Sequence, residues 1–187
     1  LLGLLHKQDT EAGRLVSQEI LFDQWERFYG LKLTIMLTDT FGTGSVLGNA
    51  NLERGIKRWR GSRQDSGVPD EYAQQWVDWY KSHGVDPLSR QIVFSDGLNV
   101  SKMIHLHTRW SPHVLDLYGW GTNLMNDLGC GGLSIVMKVV AVYVDGEWVD
   151  VGKLTDNVAK AIGTPACIER MKKLTGYTNT FTETCIY

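Results

Sequence analysis

The fold is decided by three polar loops, which read Arg63-Gln64-Asp65-Ser66-Gly67, Ser95-Asp96-Gly97-Leu98-Asn99 and Gly119-Trp120-Gly121-Thr122-Asn123. Each loop follows a short apolar or aromatic run, precedes a segment of helical character, and combines glycine with hydroxyl, amide or carboxylate side chains. Phosphate and ribose groups bind where backbone N–H groups approach closely and polar side chains lie beside them. Three such loops in series therefore predict one site for a phosphosugar.

Strand, polar loop and helix alternate four times along the chain. The predicted strands, which carry apolar residues, are 31–37, a run from Trp59 into the first loop, 91–94 and 113–118. The predicted helices, which show helical spacing or capping signals, are about 11–29, 43–57, 69–84, 99–110 and a short one reaching 128. This alternation predicts an α/β protein with parallel strands.

The pattern changes after Gly131-Gly132. Residues 133–144 form a β-rich run, Asp145-Gly146 is a hairpin turn signal, and a return strand is expected over 147–151. We expect residues 1–165 to form one α/β portion and residues 166–187 to form a tail of unassigned structure. Four βα units do not close an eight-unit barrel of ~250 residues, so a small open sheet and half of a barrel both fit the pattern.

Composition limits the function classes. The chain has 187 residues, 43% of them apolar, and a net charge of −2. A basic nucleic-acid platform is therefore excluded, and any anion site must be local. No apolar run approaches the ~20 residues that span a bilayer, so no membrane partner is expected. The three cysteines are widely spaced and indicate neither a zinc site nor a disulfide framework, which favours an intracellular protein.

Two candidate sites each allow a structural alternative. Arg63 can clamp a carboxylate or a phosphate with two parallel bonds, and Asp65 can accept ribose hydroxyls, but the two also fit a surface ion pair within a turn. The stretch 38–43 fits either a helix cap or the wall of a ligand site.

His105 and His107 are two residues apart on a predicted helix, so they face different directions and no metal ligation is expected. Motifs of serine hydrolases, zinc proteases and Walker-type nucleotide hydrolases do not occur in the sequence.

Five stretches together resemble the nicotinate phosphoribosyltransferase family, in the family's order and over about residues 10–165. They are Leu37-Thr38-Asp39-Thr40-Phe41-Gly42-Thr43, the three loops with Phe94 added to the second, and Lys153-Leu154-Thr155-Asp156-Asn157. The resemblance implies an irregular α/β barrel of the type II phosphoribosyltransferase kind, incomplete in this chain, with a β-rich C-terminal segment. It also implies that nicotinate and phosphoribosyl pyrophosphate give nicotinate mononucleotide and pyrophosphate in NAD biosynthesis. Mg²⁺ would assist, and ATP would be a co-substrate acting through a phosphohistidine.

The resemblance also implies roles for individual residues. Asp39 and Asp65 would be the catalytic residues, Arg63 would meet the nicotinate carboxylate, and no residue is assigned to a metal. The implied substrate-binding residues, which line the phosphoribosyl site or cradle its 5′-phosphate, are Arg63, Ser66, Ser95, Asp96, Gly97, Gly119, Gly121 and Thr122.

The sequence departs from the family pattern in ways that leave alternatives open. Gly44 and Trp120 stand where the family has other residue types, and the phosphohistidine is expected upstream of Leu1, so His6 does not inherit that role. The resemblance also implies that this chain is the C-terminal part of the family's barrel, with the N-terminal half missing, so we expect weak or no catalysis from these 187 residues alone. A non-catalytic phosphosugar-binding fragment and a nicotinamide-using phosphoribosyltransferase are the alternatives. The resemblance further implies a cytoplasmic location, with the nucleus as a second compartment, and a homodimer as one assembly.

Overall fold

A computed structural model describes residues 11–121, 123, 124, 129 and 135–184 of the chain. The strands are β1 (Ile35–Leu37), β2 (Gly61–Gln64), β3 (Gln91–Phe94), β4 (Leu115–Tyr118), β5 (Ala141–Val144) and β6 (Glu147–Asp150). The α-helices are α1 (Glu11–Tyr29), α2 (Thr43–Leu47), α3 (Glu53–Arg58), α4 (Pro69–Ser82), α5 (Val100–Trp110) and α6 (Pro165–Thr175). The fold class is α/β, as the alternation of predicted strands and helices indicated.

Strands β1 to β4 form one parallel sheet, and their order in space equals their order along the chain. Helices connect each strand to the next, so the carboxyl ends of the strands meet at one edge of the sheet. Gly61 is required where β2 meets β3, because a Cβ atom there would lie 1.8 Å from the Gln91 carbonyl oxygen. The loops that follow these strands are therefore brought together at a single edge.

Helix α4 supplies much of the main core. Pro69 occupies the first turn with two acidic residues, which suits the positive end of the helix dipole. Its buried aromatic residues pack in one cluster with Ile92 and Phe94 of β3; they are Tyr72, Trp76, Trp79 and Tyr80. The helix thus anchors the loop between β2 and α4 against the sheet.

A second, smaller core joins the C-terminal segment to the loop after β1. It consists of Phe41, Leu154, Cys167 and Met171, and all four are buried. Two backbone bonds fix the same contact: the Leu154 N–H donates to the Thr40 carbonyl at 2.8 Å, and the Thr155 N–H donates to the Asp39 carbonyl at 2.9 Å. The segment after β6 therefore lies across the carboxyl edge of the sheet.

Several predicted elements are shorter in the structure than in the sequence pattern. The predicted helix over 43–57 is divided into α2 and α3 by a 3₁₀ turn over Ala50–Leu52, which the Asn49 side chain caps. The predicted strand over 31–37 begins only at Ile35, because Gly30–Leu33 form a 3₁₀ helix. The polar and glycine residues in these short segments favour turns, so the helix and the strand are shorter than the apolar pattern predicts.

The C-terminal predictions were right in type and wrong in extent. The Asp145-Gly146 turn joins β5 and β6 as expected, but 135–140 form no regular structure and the pairing covers only four residues a side. The expected boundary at residue 165 falls at the start of α6, which Thr164 caps. The predicted helix reaching 128 lies largely outside the described residues. Across the described part of the chain, no helix combines the length and apolar character that crossing a membrane requires.

Candidate functional site

Charged residues from three segments converge at the carboxyl edge of the sheet. Asp39 follows β1 and Asp65 follows β2, while Lys153 comes from the segment that the smaller core fixes across this edge. We call five residues the strand-end cluster: Asp39, Arg63, Asp65, Ser66 and Lys153. The cluster unites two of the loops predicted as ligand sites with a segment far along the chain.

Lys153 lies between two carboxylates of the strand-end cluster. Its Nζ is 2.9 Å from Oδ1 of Asp39 and 3.0 Å from Oδ2 of Asp65. Asp39 is almost fully buried, at 2% exposure, so its charge is unfavourable unless a cation lies beside it. One ammonium group therefore connects the two residues expected to be catalytic.

Ser66 fixes the other side of Asp39. The Ser66 hydroxyl donates to Oδ2 of Asp39 at 2.8 Å and accepts the Asp156 N–H at 2.9 Å. The Asp156 carboxylate in turn accepts the Thr43 N–H at 2.8 Å and the Thr43 hydroxyl at 2.5 Å. Ser66, predicted as a substrate-binding residue, has its hydroxyl engaged within the protein.

Arg63 forms the ion pair with Asp65 that the sequence allowed for its turn, and it also contacts Ser95. Its guanidinium lies 2.5 Å from Oδ1 of Asp65, and its Nε donates to the Ser95 hydroxyl at 2.8 Å. The Ser95 hydroxyl donates to the Gln64 carbonyl at 2.7 Å. The Arg63 side chain keeps 46% of its surface exposed, so the guanidinium remains accessible to a ligand while it is held in place.

The second and third loops lie beside this group. Asp96 forms an ion pair with Lys160, whose Nζ is also 3.5 Å from the Asp65 carbonyl oxygen. The Gly119 N–H donates to the Phe94 carbonyl at 2.8 Å, which continues the β3–β4 pairing beyond the strands. The Gly119 N–H is therefore already hydrogen-bonded within the protein, although the resemblance implied that this residue binds the 5′-phosphate.

Glycines keep the second and third loops close to each other. A Cβ atom at Gly119 would lie 3.0 Å from the Ser95 Cβ, which is too close for an unchanged neighbour. Gly97 has a positive φ of 55°, a conformation that glycine adopts easily. Gly121 is exposed, and Thr122 lies outside the described residues.

The pKa values in the site follow from burial and from the ion pairs. Burial opposes ionisation of Asp65, but Lys153 and Arg63 outweigh it and lower the pKa of this carboxyl below its ordinary value. Burial likewise acts to lower the pKa of Lys153, but the Asp39 and Asp65 carboxylates outweigh burial and raise it. Asp156 differs, because burial dominates there and raises its pKa. At neutral pH the ammonium and the Asp65 carboxylate are therefore both charged.

A cavity of about 490 Å³ lies behind the loops that follow β1 and β2. Its wall comes from the start of α2, the start of α4 and the segment after α6, and among the residues that the structure describes it includes Glu71 and Asp156 but no Lys, Arg or His. Anions are disfavoured in such a wall. An anionic ligand is better matched by the exposed side of the strand-end cluster, where Arg63 lies.

Sequence reasoning missed several residues that the structure brings to the site. Lys153 and Asp156 lie in a motif that carried the family resemblance, yet neither was assigned a role, and Lys160 was not singled out at all. His105 and His107 lie elsewhere: His105 contacts Asp70 and His107 contacts Asp116. Lys153 and Lys160 follow the hairpin of β5 and β6, and no local sequence signal indicates which strand ends they contact.

The fold and site together define an α/β protein with a charged cluster at the carboxyl edge of a parallel sheet, where such sheets bind their ligands. The chain belongs to the nicotinate phosphoribosyltransferase (NAPRTase) family, whose sequence profile matches residues 5–176. The family resemblance of the sequence motifs is thereby confirmed.

Solved structures agree with this assignment. A nicotinate phosphoribosyltransferase from Porphyromonas gingivalis is 27% identical with a TM-score of 0.83, over 94% of this chain and 45% of its own. One from Vibrio cholerae is 27% identical with a TM-score of 0.78, over 88% and 40%. A Saccharomyces cerevisiae protein described with the same activity is 30% identical with a TM-score of 0.73, over 88% and 41%. The chain thus spans less than half the length of these similar proteins.

Proposed function

We propose that this chain carries the strand-end part of the active site of a nicotinate phosphoribosyltransferase. The proposed reaction joins nicotinate to phosphoribosyl pyrophosphate and yields nicotinate mononucleotide and pyrophosphate, in NAD biosynthesis. The observation that supports it best is the strand-end cluster, in which an exposed Arg63 and a partly buried Lys153 flank Asp65. The proposal includes a cytoplasmic location, with the nucleus as a second compartment, and a homodimer, as the family resemblance implies.

The charges of the cluster suit the substrates of this reaction. Nicotinate carries a carboxylate, which a guanidinium binds with two parallel hydrogen bonds. Arg63 is held on one side by Asp65 and Ser95 and is open on the other, so it can receive such a group without rearranging. Preorganised groups cost less to align when the substrate arrives.

The carboxylates suit the reacting carbon. When the bond between C1 and the pyrophosphate oxygen breaks, the electron pair leaves with pyrophosphate and positive charge develops on the ribose ring. The ring nitrogen of nicotinate then supplies the electron pair for the new bond to C1. Asp65, kept ionised by its cationic neighbours, can accept ribose hydroxyls and oppose the positive charge. Asp39 would act from the buried side, through its fixed position next to Lys153.

Magnesium and ATP enter the proposal through the family alone. Mg²⁺ binds oxygen ligands and often combines one or two carboxylates with substrate phosphates. Within the described ranges there is no group of three or more His, Cys, Asp or Glu residues arranged to hold a metal. Asp39, Asp65 and Asp96 are each paired with a lysine, so these three carboxylates do not fit a bare Mg²⁺. The steps above use none.

The test is formation of labelled nicotinate mononucleotide from labelled nicotinate and phosphoribosyl pyrophosphate. It is run with and without ATP, on the chain alone and on the longest reading frame that contains it. Arg63→Ala should reduce product at least about tenfold while the melting temperature changes little, because the side chain is half exposed. Arg54→Ala, which removes an exposed arginine from a surface ion pair, is the control. No product from the longer protein would contradict the enzyme proposal.

Two alternatives remain testable in the same assay. A nicotinamide-using enzyme would prefer the neutral amide, whereas the Arg63 guanidinium favours the carboxylate, so the two pyridines are compared in competition. A binding-only fragment fits the finding that the chain spans less than half the length of its solved relatives. It would bind phosphoribosyl pyrophosphate in calorimetry and form no product.

A further inference from the structure

We infer that Lys153 is a positioning residue whose ammonium group occupies the place between Asp39 and Asp65 where a divalent cation would otherwise bind. The inference rests on the proposed function only for its role in the reaction. The claim that the Lys153 ammonium group holds the two carboxylates concerns this chain alone. It is tested by metal binding, without measuring enzyme activity.

The first argument is that every oxygen of the two carboxylates already faces a protein group. Asp39 has Lys153 beside Oδ1 and the Ser66 hydroxyl on Oδ2. Asp65 has Arg63 beside Oδ1 and Lys153 beside Oδ2. A metal ion that entered between them would have to displace the ammonium group.

The second argument is that the backbone of Lys153 is fixed on both sides. Its N–H donates to the Ile162 carbonyl at 2.8 Å, and its own carbonyl accepts the Ile162 N–H at 2.9 Å. The next residue, Leu154, is 1% exposed and donates its N–H to Thr40. The ammonium group is therefore carried by a segment whose position does not depend on a ligand.

The third argument concerns charge. Two carboxylates that share one neighbour repel each other, and the repulsion is strong where Asp39 is buried. One lysine between them leaves a net charge of −1, and the nearby Arg63 cancels it. A pair of aspartates that is already neutralised in this way, with Asp39 buried and Asp65 partly exposed, has little remaining attraction for Mg²⁺ or Mn²⁺.

The consequence for the proposed reaction is a fixed arrangement of carboxylates before substrate binds. Asp39 and Asp65 keep their separation without waiting for a metal. Any divalent ion would then arrive with the pyrophosphate group, which brings its own oxygen ligands. Lys153 acts through the two aspartates and does not itself need to touch the substrate.

The experiment measures Mn²⁺ binding to the chain by electron paramagnetic resonance of the free ion, with no substrate present. Lys153→Met is compared with the unsubstituted chain and with Lys172→Met, which removes a lysine from a surface pair on α6. We expect Lys153→Met to tighten Mn²⁺ binding at least about tenfold, because the carboxylates lose their cation. Lys172→Met should leave Mn²⁺ binding unchanged.

Two further variants separate a charge effect from damage to the fold. Lys153→Arg keeps the positive charge and should keep the weak Mn²⁺ binding of the unsubstituted chain. Adding Asp39→Asn to Lys153→Met should abolish the gained binding, because one carboxylate ligand is lost. Equal Mn²⁺ affinity in Lys153→Met and the unsubstituted chain would overturn the inference, whether or not the protein makes nicotinate mononucleotide.

A measurement on the unsubstituted chain covers the case in which Lys153→Met does not fold. The ¹⁵Nζ resonance of Lys153 is assigned by its loss in Lys153→Arg and is followed while Mn²⁺ is added. We expect the resonance to persist, because the ion does not enter the pair. Selective broadening of this resonance at low Mn²⁺ would show that the metal binds there and would refute the inference.

Discussion

Ser66→Ala tests whether the Ser66 hydroxyl, which bonds to both Asp39 and Asp156, stabilises the site. The Ser66 side chain is 1% exposed, and its hydroxyl satisfies both Oδ2 of Asp39 and the N–H of Asp156. Alanine fits the same space but leaves both groups without that partner. Each buried polar group that loses its partner costs about 1–3 kcal/mol, so the expected loss for the two groups is about 2–6 kcal/mol of unfolding free energy.

The assay is urea unfolding followed by circular dichroism, with thermal melting as a second measure. For a chain of this size the loss corresponds to a fall in melting temperature of about 4–24 °C. Ser101→Ala is the control, because Ser101 is exposed on α5 and its substitution should change stability by less than about 0.5 kcal/mol. If Ser66→Ala and Ser101→Ala unfold at the same urea concentration, the Ser66 hydroxyl bonds do not stabilise the protein and the prediction is refuted.

Three further predictions concern the sheet, the charges and the last helix. Gly61→Ala should cost about 3 kcal/mol or more, because its Cβ would lie 1.8 Å from the Gln91 carbonyl, whereas Gly55→Ala meets nothing within 4 Å and serves as the melting control. The lowered pKa of Asp65 means that its stabilisation is complete above its ordinary value of 3.8 and is lost as pH falls through the folded value. Asp65→Asn should therefore show a shallower loss of stability in acid, and an unchanged acid slope would contradict the ion pairs. Thr164→Ala should lower stability by about 1 kcal/mol in urea, because Thr164 caps α6, and no change would argue against the cap.

The elements that local signals specify were predicted well. Helix α4 begins at Pro69 with two acidic residues and ends before Gly84, and β3 covers the predicted residues 91–94. The hairpin turn at Asp145-Gly146 also formed as expected. Caps, turn residues and the spacing of apolar side chains act within a few residues, so they can be recognised in the sequence.

The extent of elements was predicted less well where tertiary packing competes with the local pattern. The apolar run over 133–144 predicted a long strand, yet only Ala141–Val144 pairs with β6, since the return strand ends at Asp150. The tail from 166 lacked a clear pattern but contains most of α6, which is held by the burial of Cys167 and Met171. An apolar side chain shows that a residue can be buried, and the fold decides which partner buries it.

The sequence by itself determined the α/β class, the strand-end loops and the family, because each depends on residue types at short spacing or on ordered motifs. Only the tertiary structure decided that Lys153 lies between Asp39 and Asp65, the latter 88 residues away along the chain. That contact arises because Leu154 is buried in the smaller core and its N–H bonds to the loop after β1. Burial and hydrogen bonding of Leu154 thus fix the position of the neighbouring Lys153 charge, and no local sequence pattern predicts that position.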